Sequence, residues 1–469
     1  MLGLAGLAGQ VSMAGGGGIK PWQGTVSETE SAAVLLAIPI LLSIAIWNGF
    51  PIVFYDSGAY LLQGLGGVFI EERSPVYSLF LPLTLAPVSL WLTVGAQAAM
   101  TAFVMAETAR VLAPGLKLLS FLAVVAALTV VTGLPWYVAQ IEPDAFTAIL
   151  ILSFYLLLFH SRALSRGRRI ALFLVAALAI ACHPSHMVIA AGLILAAAIY
   201  RLVVRRAGAG WPVAHPALPV LSLVLGLVTI VTANFGYTRE VFLSRAGPVF
   251  VFARLVQDGI VMRLLEDTCP QSHYRLCAYK DELPRTADQW LWDKYTPFKE
   301  LKGFAGTTQE SERIIFDSLR RYPLMHLRTA LADTWRQFSL FRTGDQLEPQ
   351  EWALYPMFED FVPRQVEAYM SARQQRGAFD FDVWNDIHVP VGWASLVLLA
   401  ALLAWALATG RHRQTVFLGF VLVALLGNAA VCGALSNPHD RYQSRVVWIA
   451  PFALALSAAR LRRPLESGT

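Results

Sequence analysis

The sequence predicts an all-α polytopic membrane protein of about ten membrane helices, with a mostly helical extracytoplasmic domain inserted before the last three. Three observations predict it. Hydrophobic residues make up 56% of the 469 residues and charged residues only 15%, where soluble domains carry about 25% charged residues. The charge is uneven: 41 of the 69 charged residues lie between Gly236 and His388. The remaining apolar runs are long, rich in Leu, Ala, Val and Ile, and do not alternate as barrel strands do. This pattern excludes an ordinary soluble enzyme, a disordered chain and a nucleic-acid binder. The net charge of +5 is accounted for by topology, as follows.

The expected membrane helices are 33–49, 94–112, 118–137, 146–160, 170–182, 186–204, 217–235, 389–409, 415–435 and 446–460. Lys and Arg favour cytoplasmic loops. Arg110 with Lys117, the group Arg162 to Arg169, the group Arg201 to Arg206, Arg411 with Arg413, and the group Arg460 to Arg463 all fit one side. They do so if the chain starts and ends in the cytoplasm of an inner membrane. Residues 77–93 are apolar but hold Pro82 and Pro87. A full span there would break the parity of the basic clusters. An interfacial helix is expected, with a re-entrant pair as the alternative. Residues 1–32 are a Gly-rich cytoplasmic tail without the basic start of a signal peptide. Residues 33–235 form the membrane core, with outer loops 50–93 and 138–145. Residues 236–388 are the inserted domain, 389–460 the C-terminal helices and 461–469 a second tail.

This topology collects charge on the outer face, in three short loops. The first holds Tyr55, Asp56, Tyr60, Glu71, Glu72 and Arg73; the second Glu142 and Asp144; the third His439, Asp440, Arg441, Tyr442 and Arg445. Ionisable groups beside hydrocarbon point to function by default. Carboxylates that meet arginines suit a phosphate-linked substrate and proton chemistry on it. Each loop also has a structural alternative. Asp56 and Asp144 could cap the helices that follow them, and Arg441 and Arg445 could snorkel beside Tyr442 and Trp448. His183 and His186 could join a metal site, or belong to a helix-breaking turn with satisfied imidazoles. Cys182 and Cys432 fall in apolar helices and are expected to be inert. Cys269 and Cys277 are expected to pair, since an outer domain tolerates disulfides. Zinc is the weaker option there, because His273 alone does not complete a ligand set.

Asp56 in YDSGAY, then Ser74-Pro75-Val76-Tyr77, Asp144 in EPDAFTAILIL with Arg162 after it, and Arg441-Tyr442 with Pro451 beyond, together resemble the GT-C superfamily of polytopic glycosyltransferases. The resemblance is to its protein O-mannosyltransferase and aminoarabinose transferase branch. It covers roughly 33–235 and 436–460. It departs from that branch in a lone Asp56, a single proline before the aromatic residue, and an insert that matches no module of the family. The resemblance implies transfer of a sugar from a polyprenyl-phosphate donor to a glycan, lipid or protein acceptor. Asp56 would be the base, and Arg441, Arg445 or Arg73 would hold the donor phosphate. Asp144 would be the second catalytic carboxylate and with Glu142 would position the acceptor, the base or a metal, while Tyr55, Tyr60, Glu72, Tyr442 and His439 would position the substrates. A divalent metal ion is the cofactor that some relatives use. The competing expectations are a transporter or flippase of a lipid-linked glycan, and a ligase-like transferase.

The insert has 22 acidic and 19 basic residues, so it is nearly neutral. Its periodicity is helical, with a break expected at Pro323. Its many aromatic residues would either stack on sugars or pack its core and membrane-facing side. Arg254 is a candidate to reach into the site.

Overall fold

The computed structural model describes residues 28–207 and 210–461. The two predicted tails therefore lie largely outside the described residues. Among these residues the fold is helical throughout. Its one β feature is an isolated parallel bridge between Ile52 and Gln140.

The elements used below are α1 (Ser31–Asn48), α2 (Tyr55–Gly66), α3 (Pro75–Leu83), α4 (Leu90–Leu112), α5 (Leu118–Val131), α6 (Ala145–Phe159), α7 (Arg166–Cys182), α8 (Pro184–Ala207) and α9 (Ala217–Thr238). In the insert come α10 (Gly247–Gln257), α11 (Ile260–Thr268), α12 (Ala287–Trp292), α13 (Gly303–Arg321), α14 (Pro323–Ser339) and α15 (Glu351–Phe361). The chain closes with α16 (Phe381–Ala408), α17 (His412–Leu435), α18 (Asp440–Val447) and α19 (Ile449–Leu461).

Every segment expected to be a membrane helix is largely helical. Among the described residues six helices, α1, α4, α8, α9, α16 and α17, are long and apolar enough to cross a membrane. The shorter ones have physical reasons to be short. Thr132 and Gly133 end α5, so 118–137 divides into α5 and the short helix Leu134–Val138. Trp448 separates α18 from α19, so 446–460 is not one helix. α6 is apolar on all sides and buried from Ala145 to Leu158. That is the pattern of a helix at the centre of a bundle, and α4, α7, α8, α9, α17 and α18 surround it. The stretch 77–93 divides into α3 and the start of α4. Ser74 caps α3 by accepting from the Val76 N–H at 3.3 Å, and Pro75 occupies its first position, where a proline costs nothing.

The insert contains two structural parts. Residues from Val249 to Ile314, drawn from α10 to α13, surround a small core of their own. The Cys269–Cys277 disulfide lies beside it. By contrast, Phe338, Phe341, Leu347, Leu354, Phe358 and Tyr369 belong to the main core of the bundle. Gln374 ties this second part to the first loop through both the N–H and the carbonyl of Val53, at 3.1 and 2.7 Å. α16 then starts at Phe381, within the stretch assigned to the insert. Pro323 separates α13 from α14, as its chemistry requires. Gly433 of α17 lets α14 approach closely: a Cβ there would stand 2.5 Å from the Asp333 carbonyl oxygen.

Candidate active site

The three charged loops meet at one end of the bundle. The bridge between the first two is made of two backbone bonds. The Ile52 N–H donates to Ala139 O, and the Ile141 N–H donates to Ile52 O, both at 2.9 Å. The Ser57 hydroxyl adds a third link to Ile141 O, also at 2.9 Å. The third loop closes against them through α18, which packs on α6, α14 and α17.

Asp56 is buried and forms an ion pair with Arg73, while the Arg441 guanidinium lies 3.9 Å from its other oxygen. Asp144 pairs with Arg445 at 2.6 Å, and both side chains are shielded from solvent. The capping alternatives fail for a visible reason. α2 begins at Tyr55, so Asp56 sits inside its first turn, and Ser57 accepts from the Phe54 N–H instead. Asp144 occupies the cap position of α6 but makes no cap bond, because its carboxylate is turned to Arg445. Snorkelling is also ruled out for Arg445 and Trp448, which are buried. The Trp448 indole N–H donates to Arg445 O at 3.1 Å.

Tyr442 stands between the two arginines of α18, its ring 5.0 Å from the Arg441 guanidinium and 5.2 Å from that of Arg445. Phe54 covers Arg441 at 4.4 Å. Glu142 lies among these groups. Burial pushes its carboxyl well above the usual carboxylate range, and the Asp56 and Asp144 charges push it further, against the pull of Arg441 and Arg73. One oxygen each of Glu142 and Asp144, and one nitrogen each of Arg73, Arg441 and Arg445, are buried without a hydrogen-bond partner in the protein. Such groups are rare in folded proteins unless they serve a ligand or water.

The remaining predicted residues divide. Tyr60 is buried, edge-on to Tyr77 at 4.7 Å, in the wall behind Asp56. Tyr55, by contrast, is 61% exposed. Glu72 lines a crevice beside Arg73 and Ser74, which Met187 of α8 and Ile230 of α9 close on the other side. His439 faces the insert rather than the carboxylates of the first two loops. Its ring lies 3.3 Å from Asp288 and 3.5 Å from Asp345. Burial lowers its pKa, but the hydrogen bonds to Asp288 and Asp345 outweigh this and push it up to about 10.

His183 and His186 are not a metal pair. His186 is engaged at both ring nitrogens, with Thr147 at 2.7 Å and the Ala179 carbonyl at 2.6 Å. His183 Nδ1 meets Ser185 at 2.8 Å. Among the described residues no group of three or more His, Cys, Asp and Glu has the arrangement of a metal site. The described residues thus offer no preformed group of three such ligands. Arg254 does not reach the cluster: it pairs with Asp258 at 3.3 Å and Asp333 at 3.7 Å inside the insert.

Sequence reasoning overlooked the contribution of α12. Thr286 and Gln289 form a capping box that starts this helix. The helix then sets Asp288 against His439 and Trp292 over Arg73 at 5.9 Å. Nothing local marks Asp288 or Asp345, since both are single acids in a charged stretch. Comparison of the chain with protein-family models, with curated proteins and with solved structures found no match.

Proposed function

We propose that this chain is a membrane glycosyltransferase, moving a sugar from a polyprenyl-phosphate donor to an acceptor hydroxyl on a glycan, lipid or protein of the cell envelope. The observation that carries this reading is the charge of the buried cluster. Three guanidinium groups, Arg73, Arg441 and Arg445, stand against Asp56 and Asp144, while Glu142 is held toward its protonated form. The sum favours one further negative charge, and arginine suits a phosphate in a partly dry site. A carboxylate within the same cluster supplies the base.

In this mechanism Asp56 takes the proton of the acceptor hydroxyl. The hydroxyl oxygen forms its bond to the anomeric carbon as the bond from that carbon to the phosphate oxygen breaks. The electron pair leaves with the polyprenyl phosphate, and the arginines neutralise the charge that develops there. Asp144 holds Arg445 in place for this task. The disulfide agrees with this end of the molecule facing an oxidising compartment outside an inner membrane.

The test is transfer by the purified protein from a panel of radiolabelled polyprenyl-phosphate sugars to extracted envelope glycans. Wild type is expected to transfer, and folded Asp56→Asn is expected to lose at least about a hundredfold, within the range general-base catalysis contributes. Transfer undiminished in Asp56→Asn would remove Asp56 as the base. Binding of the donor without any transfer would favour a flippase.

A further inference from the structure

The outward face of α14 raises a separate question. Leu324, Leu327, Leu331 and Trp335 are 79%, 57%, 62% and 65% exposed, at spacings of three, four and four residues. These spacings place them on one face of the helix. The opposite face packs against the rest of the molecule. Asp333 meets Gly433 and Arg254, and the Gln337 amide donates to His439 O at 2.8 Å. α14 packs extensively on α17. Phe316 and Leu319 continue the exposed apolar surface onto α13. Exposed arginines accompany it: Arg320, Arg321, Arg328 and Arg336.

We propose that α14, with the end of α13, lies in the membrane interface, its leucine and tryptophan face sunk among lipid chains and its arginines at the level of the headgroup phosphates. Two observations identify the occupant as lipid. The helix is fixed along the flank of α17, itself long and apolar enough to cross a membrane, so its outer face continues a surface that lipid would cover if α17 spans. The charges beside the stripe are predominantly basic, as suits phosphate headgroups, and arginine can extend its head to the phosphates while its stem stays among the chains. The insert is then a half-embedded module that holds α12 and the charged cluster close to the membrane surface. This inference does not depend on the proposed chemistry.

The experiment uses the full-length protein in phospholipid nanodiscs, with a nitroxide attached at Leu327→Cys or, separately, at Leu331→Cys. The native free cysteines, Cys182 and Cys432, are buried. Tyr295→Cys serves as the aqueous reference, at a site 88% exposed on the same insert. Collision with oxygen, which concentrates in lipid, is compared with collision with a water-soluble nickel chelate. At 327 and 331 oxygen collisions are expected to exceed nickel collisions several-fold, with the order reversed at 295. Nickel accessibility at 327 and 331 equal to that at 295 would overturn the proposal, since the face would then lie in water. Protection from both reagents would also overturn it, in favour of a protein such as a second copy of this chain.

Discussion

Arg445 and Asp144 lie 301 positions apart and meet at 2.6 Å, the arginine 1% and the aspartate 3% exposed. Removing one member of such a pair leaves an uncompensated buried charge, which costs about 3–5 kcal/mol. Arg445→Gln is therefore expected to lower stability by about that amount in thermal unfolding in detergent. The double variant Asp144→Asn/Arg445→Gln is expected to recover part of the loss. A double variant less stable than the single would show that the pair is not the reason. Glu142 behaves oppositely. Its pKa in the folded chain is raised, so its contribution is fully present below the ordinary carboxyl value near 4.3 and is lost as pH rises through the raised folded value. Glu142→Gln mimics the protonated side chain. Its melting temperature is expected to decline less than that of wild type between weakly acid and alkaline pH. Parallel profiles would mean that Glu142 is ionised throughout.

At the scale of elements, α12 and α18 are joined by one imidazole. His439, at the start of α18, lies between Asp288 of α12 and Asp345 of the segment after α14, and Asn437 supports Asp288 at 3.1 Å. The raised His439 value gives stability that is complete below about 6.5 and is lost as pH rises through about 10. Asp288 and Asp345 are held below the usual carboxylate range, where burial opposes the shift and the bonds to His439 outweigh it. Their contribution is present above about 3.9 and lost in acid. Hydrogen-exchange protection in 287–292, taken relative to the intrinsic exchange rate at each pH, should thus be greatest near neutral pH and should fall toward pH 10. In His439→Gln the protection is expected to be lower at neutral pH and to lose that fall. Identical exchange in the two proteins would dismiss the contact as a latch.

For the whole molecule, the two hydrophobic cores set the expectation. The small core of the insert includes the partly buried Cys269 and Cys277, and the main core includes neither. The disulfide closes a loop of sequence separation 8, for which chain entropy gives about 2–3 kcal/mol. Cys269→Ser/Cys277→Ser is expected to speed exchange across α10 to α13 and leave α4, α6 and α17 unchanged. Equal loosening of both regions would mean that the cores unfold as one.

Much of this was legible in the sequence because its causes are local. A run such as AFTAILILSFYLLLF becomes a buried helix in any bundle, since its backbone must be satisfied internally and no face is polar. Charge segregation set the insert apart from the apolar runs, and its expected outer placement suggested that its two cysteines pair. Tertiary structure alone decided the partners. Asp56 met Arg73 and Arg441 while Asp144 met Arg445, because α18 folds back against α6 and α17. Residues 338–379 joined the bundle although their composition is that of a water-soluble segment, because Phe341, Phe358 and Tyr369 fill its core. His439 turned to two acids that no pattern marked. Periodicity records which face of an element is apolar, whereas the choice among several acids and arginines depends on how distant elements pack.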